Sequence, residues 1–176
     1  MMDAREVIFK PGEAKYLSGN LYAAFRTVRR GLVAFLANSE ELENLVKLAK
    51  QKVAERKGGE LRLPELPEYS AFASFGEVLE EARKAAIEVL LAMYKGDLEG
   101  LSRQVEQLSE LDSALWKACK EVYDVVRRYD GVLAAKIYWH PALTGGLGVV
   151  AEDVAKYVTV RTGRAPQNWK VVVEVM

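Results

Sequence analysis

The chain is poor in residues that staple or chelate, with one cysteine, Cys119, and one histidine, His140, among 176 residues. A lone thiol rules out an intrachain disulfide, and a lone imidazole rules out a metal centre built on paired histidines. A Cys–His relay would have to use this one pair, yet Cys119 falls on a helical apolar stripe and His140 on a turn. Neither charge is in excess, because 25 Lys and Arg balance 25 Asp and Glu. That argues against a sequence-blind coat for duplex DNA, which carries a clear basic surplus. No run approaches the ~18–20 apolar residues of a membrane span. The stretch 85–94 is interrupted by Glu88 and ends at Lys95. The opening MMDAREVIFKPGEAK has no apolar core, so no signal peptide is expected. Together these absences predict a cytoplasmic protein without membrane contact. A phosphate loop is missing as well: Gly145-Gly146-Leu147-Gly148 lacks both the Lys-Ser/Thr and the preceding strand such a loop needs.

Half of the residues are hydrophobic and 28% are charged, a balance that supports a packed core. The charge is unevenly placed. Residues 1–60 carry 11 bases and 8 acids, residues 61–125 carry 7 and 13, and residues 126–176 carry 7 and 4. The net values are +3, −6 and +3, which suits opposed basic and acidic faces.

Apolar spacing predicts an all-α fold: a helical bundle of about five to six helices in a single domain over residues 1–176. Residues 1–12 read as an N-terminal arm with a β-like patch at Val7-Ile8-Phe9. A first helix is expected from about Glu13 to Ala37, its stripe running through Phe25, Val28, Leu32 and Phe35. Asn38 with Glu41 has the form of a capping box, which predicts a break there and a second helix to about Lys57, stopped by Gly58-Gly59. Residues 58–73, with Pro64 and Pro67, read as a linker. Ser74 with Glu77 repeats the capping pattern and predicts the start of a third helix that Gly96 closes. The fourth segment is one long helix, about 97–128. Its apolar positions Leu101, Val105, Leu108, Leu111, Leu115, Ala118, Val122 and Val125 step by three and four, the seam of a coiled coil or a long bundle helix. About 30 residues at 1.5 Å each reach ~45 Å, more than a spherical domain of this size offers, so part of the seam is expected to pack on another chain. Val149 to Thr162 reads as a last helix stopped by Gly163, and residues 164–176 as a strand-like tail. That tail can pair with Val7-Ile8-Phe9 or with a neighbour's tail.

Two clusters carry candidate chemistry. Arg26, Arg29 and Arg30 share one helical face beside Tyr22, a spacing at which three guanidinium groups can follow a phosphate backbone. Arg127-Arg128 with Lys136 is a thinner version. Glu77 and Glu80, three apart on a helix, can hold Mg²⁺ if another helix supplies a third carboxylate. Acids in a first turn also complement the helix dipole, and with that plainer role no cofactor is expected.

The stretch from Tyr138-Trp-His-Pro-Ala-Leu-Thr-Gly-Gly-Leu-Gly through Asp153-Val-Ala to Arg161-Thr-Gly resembles the C-terminal run of the translin family. Lys95-Gly96-Asp97-Leu98-Glu99 resembles the Gly-Asp helix junction of its archaeal members. The resemblance implies an all-helical protein that assembles into hollow oligomers and binds RNA or single-stranded DNA. In the nuclease branch of that family, acids recur at three-residue steps and meet an aspartate from another helix. By this resemblance Glu77 and Glu80 would match two steps, Arg83 stands where the third acid belongs, and Asp97 or Asp112 would be the distant aspartate.

Three functions follow as expectations. One is a translin-like oligomer binding nucleic acid through Arg26, Arg29 and Arg30. Another is a structural helical subunit that self-associates or joins a helical protein partner, as in a ribonucleoprotein complex or filament. The third is a metal-dependent ribonuclease using Glu77 and Glu80. No catalytic residue is assigned.

Overall fold

A computed structural model describes residues 5–9, 21–56, 69–166 and 169–173. The expected helix start at Glu13, the Gly58-Gly59 stop and the two linker prolines lie outside the described residues. The described elements, in chain order, are strand β1 (Arg5–Phe9), helices α1 (Leu21–Arg56), α2 (Tyr69–Lys95), α3 (Leu98–Val126), α4 (Gly131–Tyr138), α5 (Pro141–Thr144) and α6 (Leu147–Thr162), and strand β2 (Trp169–Val173). The protein is all-α apart from this strand pair. No helix among the described residues is long and apolar enough to cross a membrane.

The break expected at Asn38 does not occur, because α1 runs unbroken for 36 residues. The buried positions Val28, Leu32, Phe35, Ser39, Leu42, Val46, Ala49 and Val53 keep steps of three and four straight through it. A capping box favours a local start, but a continuous buried stripe is worth far more than one cap. Ser39 instead turns its hydroxyl back to the Leu36 carbonyl at 2.8 Å, leaving the helix intact. The predicted start at Ser74 is also displaced. α2 begins at Tyr69, so 69–73 belong to the helix rather than to the linker, and Ala71, Phe72 and Phe75 are buried in its first turns. Burying Phe72 there outweighs the Ser74 capping signal.

The α3 seam finds its partners within the chain. Leu101, Val105, Leu108, Leu111, Leu115, Ala118 and Val122 are all buried, with α2 and α6 packed along α3. The expectation that part of this seam needs a second chain is therefore corrected. α1, α2 and α3 have 36, 27 and 29 residues, so helices of similar length lie side by side and the bundle is elongated. A spherical estimate of reach fails for such a shape.

The tail strand pairs in parallel with β1, Val7 opposite Val171 and Phe9 opposite Val173. Val7 and Phe9 are fully buried, with β1 resting on α6. A two-stranded ribbon alone is marginal, so this contact with the bundle is what sustains it.

α1 and α2 are clamped by Arg83. Its Nη1 donates to Glu43 Oε2 at 2.5 Å and its Nε to Ser39 Oγ at 3.0 Å. Burial pushes the Glu43 carboxyl up, but hydrogen bonds and charge from Arg83 and Lys47 together hold it below the ordinary value of 4.5. The stabilisation is therefore complete above pH 4.5 and is lost as pH falls through the lower value of the folded state. Arg83→Ala should cost about 2 kcal/mol, since both partners are half-buried and Ser39 keeps a second bond. Thermal unfolding should show Tm lower by about 5 °C, with a shallower loss of stability towards acid pH. A Tm within ~1 °C of the parent would show that the clamp contributes nothing.

Candidate nucleic-acid interface

α1 and α2 run antiparallel, fixed at one end by Lys50 over the Tyr69 ring (5.4 Å), in the middle by Arg83, and at the other end by Phe25 against Tyr94. That last end holds the predicted basic cluster. Val28 and Leu32 point into the core, so the helix phase turns Arg26, Arg29 and Arg30 outward, and all three are exposed. Among the described residues none of the three holds an ion pair. Tyr22, one turn before Arg26, is 72% exposed.

Packing adds groups to this end that the sequence does not place there. Phe25 meets the Tyr94 ring edge-on at 5.4 Å and the buried Tyr157 ring at 6.1 Å. These contacts draw together the start of α1 and the ends of α2 and α6. Tyr94 itself is 62% exposed, and Lys95 next to it is exposed. Arg161 donates from Nη1 to the Tyr157 hydroxyl at 3.0 Å and lies 5.8 Å from that ring's centroid, which orients an otherwise exposed guanidinium. The result is a set of cations, Arg26, Arg29, Arg30, Lys95 and Arg161, around two solvent-facing tyrosines. Cations with open aromatic faces suit a single-stranded polyanion, whose phosphates and bases both need partners. In sequence, Lys95 and Arg161 are isolated residues on separate helices, so no local spacing reveals them.

The acidic candidates do not converge in this way. Glu77 and Glu80 are exposed on α2, and Glu80 lies 3.9 Å from Lys84. The two candidate distant aspartates are both occupied as helix caps. Asp97 accepts from the Gly100 N–H at 3.0 Å at the start of α3. Asp112 accepts from the Gly148 N–H at the start of α6, and burial pushes its carboxyl up against that bond. Arg83, where a third acid is expected by resemblance, is the α1–α2 clamp. Among the described residues no three His, Cys, Asp or Glu side chains are placed to hold a metal ion.

Asp112 also accounts for the glycine-rich run. Gly146 caps α6 without a side chain, and Asp112 reaches over from α3 to take the donor a phosphate would need. A Cβ on Gly148 would stand 2.8 Å from Asp112 Oδ2, so a side chain there would displace that carboxylate.

No protein-family model matches this chain, and neither a curated protein nor a solved structure does.

The two single-copy residues are structural. His140 caps α5 by accepting the Ala142 N–H on Nδ1 at 3.1 Å, which leaves the proton on Nε2, 3.4 Å from Glu41 Oε1. Nε2 is buried and makes no hydrogen bond at that distance. Cys119 is fully buried on α3, and burial pushes its thiol up to about 12, which removes it as a nucleophile at neutral pH.

Proposed function

We propose that this chain is a nucleic-acid-associated helical protein that binds RNA or single-stranded DNA through the basic end of α1. The observation that carries the reading is the outward set Arg26, Arg29 and Arg30, without an ion pair among the described residues, beside the open ring of Tyr22. Lys95, Arg161 and Tyr94 support it by extending the same end with charge and a second ring. The resemblance of residues 138–163 to the translin family points the same way. Binding of this kind depends on counterion release, so affinity for a short labelled single-stranded RNA should fall steeply as salt rises. Fluorescence anisotropy from 50 mM to 500 mM NaCl measures it; no binding at 50 mM would reject the reading.

A second observation favours self-association. Val33 on α1 and Ile87 and Leu91 on α2 are large apolar residues left exposed, on helices that lie against each other. The expected result is an assembly larger than one chain by light scattering, with or without RNA. A partner-free monomer at micromolar concentration in both conditions would remove this part of the proposal.

A further inference from the structure

Far along α3 from the basic end, four aromatic rings gather on its outer side. Trp116 and Tyr123, seven residues apart on α3, flank Tyr138 at the end of α4. The centroid distances are 5.6 Å for Trp116–Tyr138 and 5.1 Å for Tyr123–Tyr138. Trp139 caps α4 and stands edge-on to Tyr138 at 5.1 Å and 81°. The stack is pinned from above by Lys120, whose Nζ lies 5.0 Å from the Tyr123 centroid and 5.9 Å from that of Tyr138. Arg127 approaches the Tyr123 ring at 5.9 Å. The inner three rings are half-buried, but the Trp139 indole is 64% exposed. No core contact explains placing a large apolar ring in water beside Tyr138, itself held by Trp116 and Tyr123.

Charge narrows the occupant. Lys120 shares its charge with Asp124 at 3.1 Å. Lys136, one turn before Trp139, and Arg127 are exposed, and among the described residues neither holds an ion pair. Glu121 is the other exposed acid on this stretch of α3. A flat ring held at its edge, with Lys136 one turn before it and Arg127 against Tyr123 in the same aromatic cluster, fits a flat group attached to an anion. A purely apolar peptide would leave Lys136 and Arg127 unused.

We infer that Trp139 is a base-stacking platform for single-stranded nucleic acid, with Lys136 and Arg127 taking the adjoining phosphates. It is a second contact point, separate from the α1 arginines, and it rests on the nucleic-acid reading above. The indole stacks on a base by its free face, while Tyr138 fixes its edge and Lys120 keeps Tyr138 in place. Stacking of this type tolerates any base, so the site adds affinity without a sequence preference.

The test is tryptophan emission during titration with a twelve-nucleotide uridine RNA at 50 mM NaCl. Trp116 and Trp169 are half-buried, so quenching reports chiefly on Trp139. The parent protein should be quenched by the RNA but not by the same sugar–phosphate chain without bases. Trp139→Ala should lose the quenching and bind about tenfold more weakly by anisotropy, and Trp139→Phe should recover most of that affinity. The exposed position predicts an unchanged helical circular-dichroism spectrum for both variants. If the parent binds RNA and Trp139→Ala binds it equally well, the platform is wrong while the arginine reading stands. Quenching by the base-free chain would likewise overturn stacking. If Trp139→Ala weakens binding but changing the three arginines does not, the platform stands and the α1 reading falls.

Discussion

Replacing Arg26, Arg29 and Arg30 together by alanine should abolish most affinity for single-stranded RNA and flatten its salt dependence. Each phosphate neutralised on a single strand contributes about 0.7 to the slope of log affinity against log salt, so three lost contacts lower the slope by about 2. Across the 20-fold step from 1 M to 50 mM salt, a slope difference of about 2 amounts to roughly 400-fold in affinity at the low-salt end. The loss should be the same for every RNA sequence, because guanidinium–phosphate contacts read no bases. Lysines in place of the three arginines should keep most of the slope while losing the two-pronged geometry of the guanidinium. Glu77→Ala with Glu80→Ala is the matching control and should bind no more weakly than the parent. An unchanged slope in the triple alanine variant would place the phosphates elsewhere.

Gly146→Ala should be among the most damaging single-methyl changes in the bundle. A Cβ there would fall 2.0 Å from the Ala142 carbonyl oxygen and 3.0 Å from its carbon. Both are backbone atoms of α5, so no side-chain rotation relieves the clash and the α5–α6 junction has to open. Leu143 and Leu147, both buried, would move with it, along with the Asp112 cap on Gly148. A cost of about 3 kcal/mol or more is expected, with Tm lower by about 10 °C. Its neighbour is the internal control. The nearest atom to a Cβ on Gly145 is the Pro141 oxygen at 3.6 Å, an ordinary contact, so Gly145→Ala should change stability by under about 0.5 kcal/mol. Equal costs at the two positions would refute the steric account.

The sequence was legible where local chemistry and burial agree. α3 spans Leu98–Val126 against an expected 97–128, because its apolar seam is buried along its length. Gly163 ends α6 with φ 77°, as its position predicts. The tail strand was legible too, and of its two possible partners the structure selects β1. Errors fell where a strong local signal opposed a continuous buried stripe: at Asn38 inside α1, and at Ser74 inside α2. The partner expected for the α3 seam was an error of shape, since side-by-side helices of matched length cover it. At the candidate interface, the outward phase of Arg26, Arg29 and Arg30 follows from the apolar stripe alone. Tyr94, Lys95 and Arg161 join them only through the Phe25–Tyr94–Tyr157 contacts, which bring three helix ends together from distant parts of the chain. No local spacing marks Trp139, because Trp116 and Tyr123, which flank Tyr138 beside it, come from α3.

The parallel ribbon has a consequence for how the chain reaches this fold. Arg5 pairs with Trp169, 164 positions later. Closing a loop of that length in a disordered chain carries an entropic cost of about 4.5 kcal/mol from its length alone, more than a five-residue pairing returns. β1 therefore has no stable partner while the intervening helices are unformed. Once α1, α2, α3 and α6 have docked, the ends are already neighbours and most of that entropy has been spent. The ribbon is then the last register to be set, a clasp that closes only on a finished bundle. Until then Val7, Phe9 and the unpaired β1 backbone are open to other strands, and the interval before closure is when this chain is most exposed to mispairing.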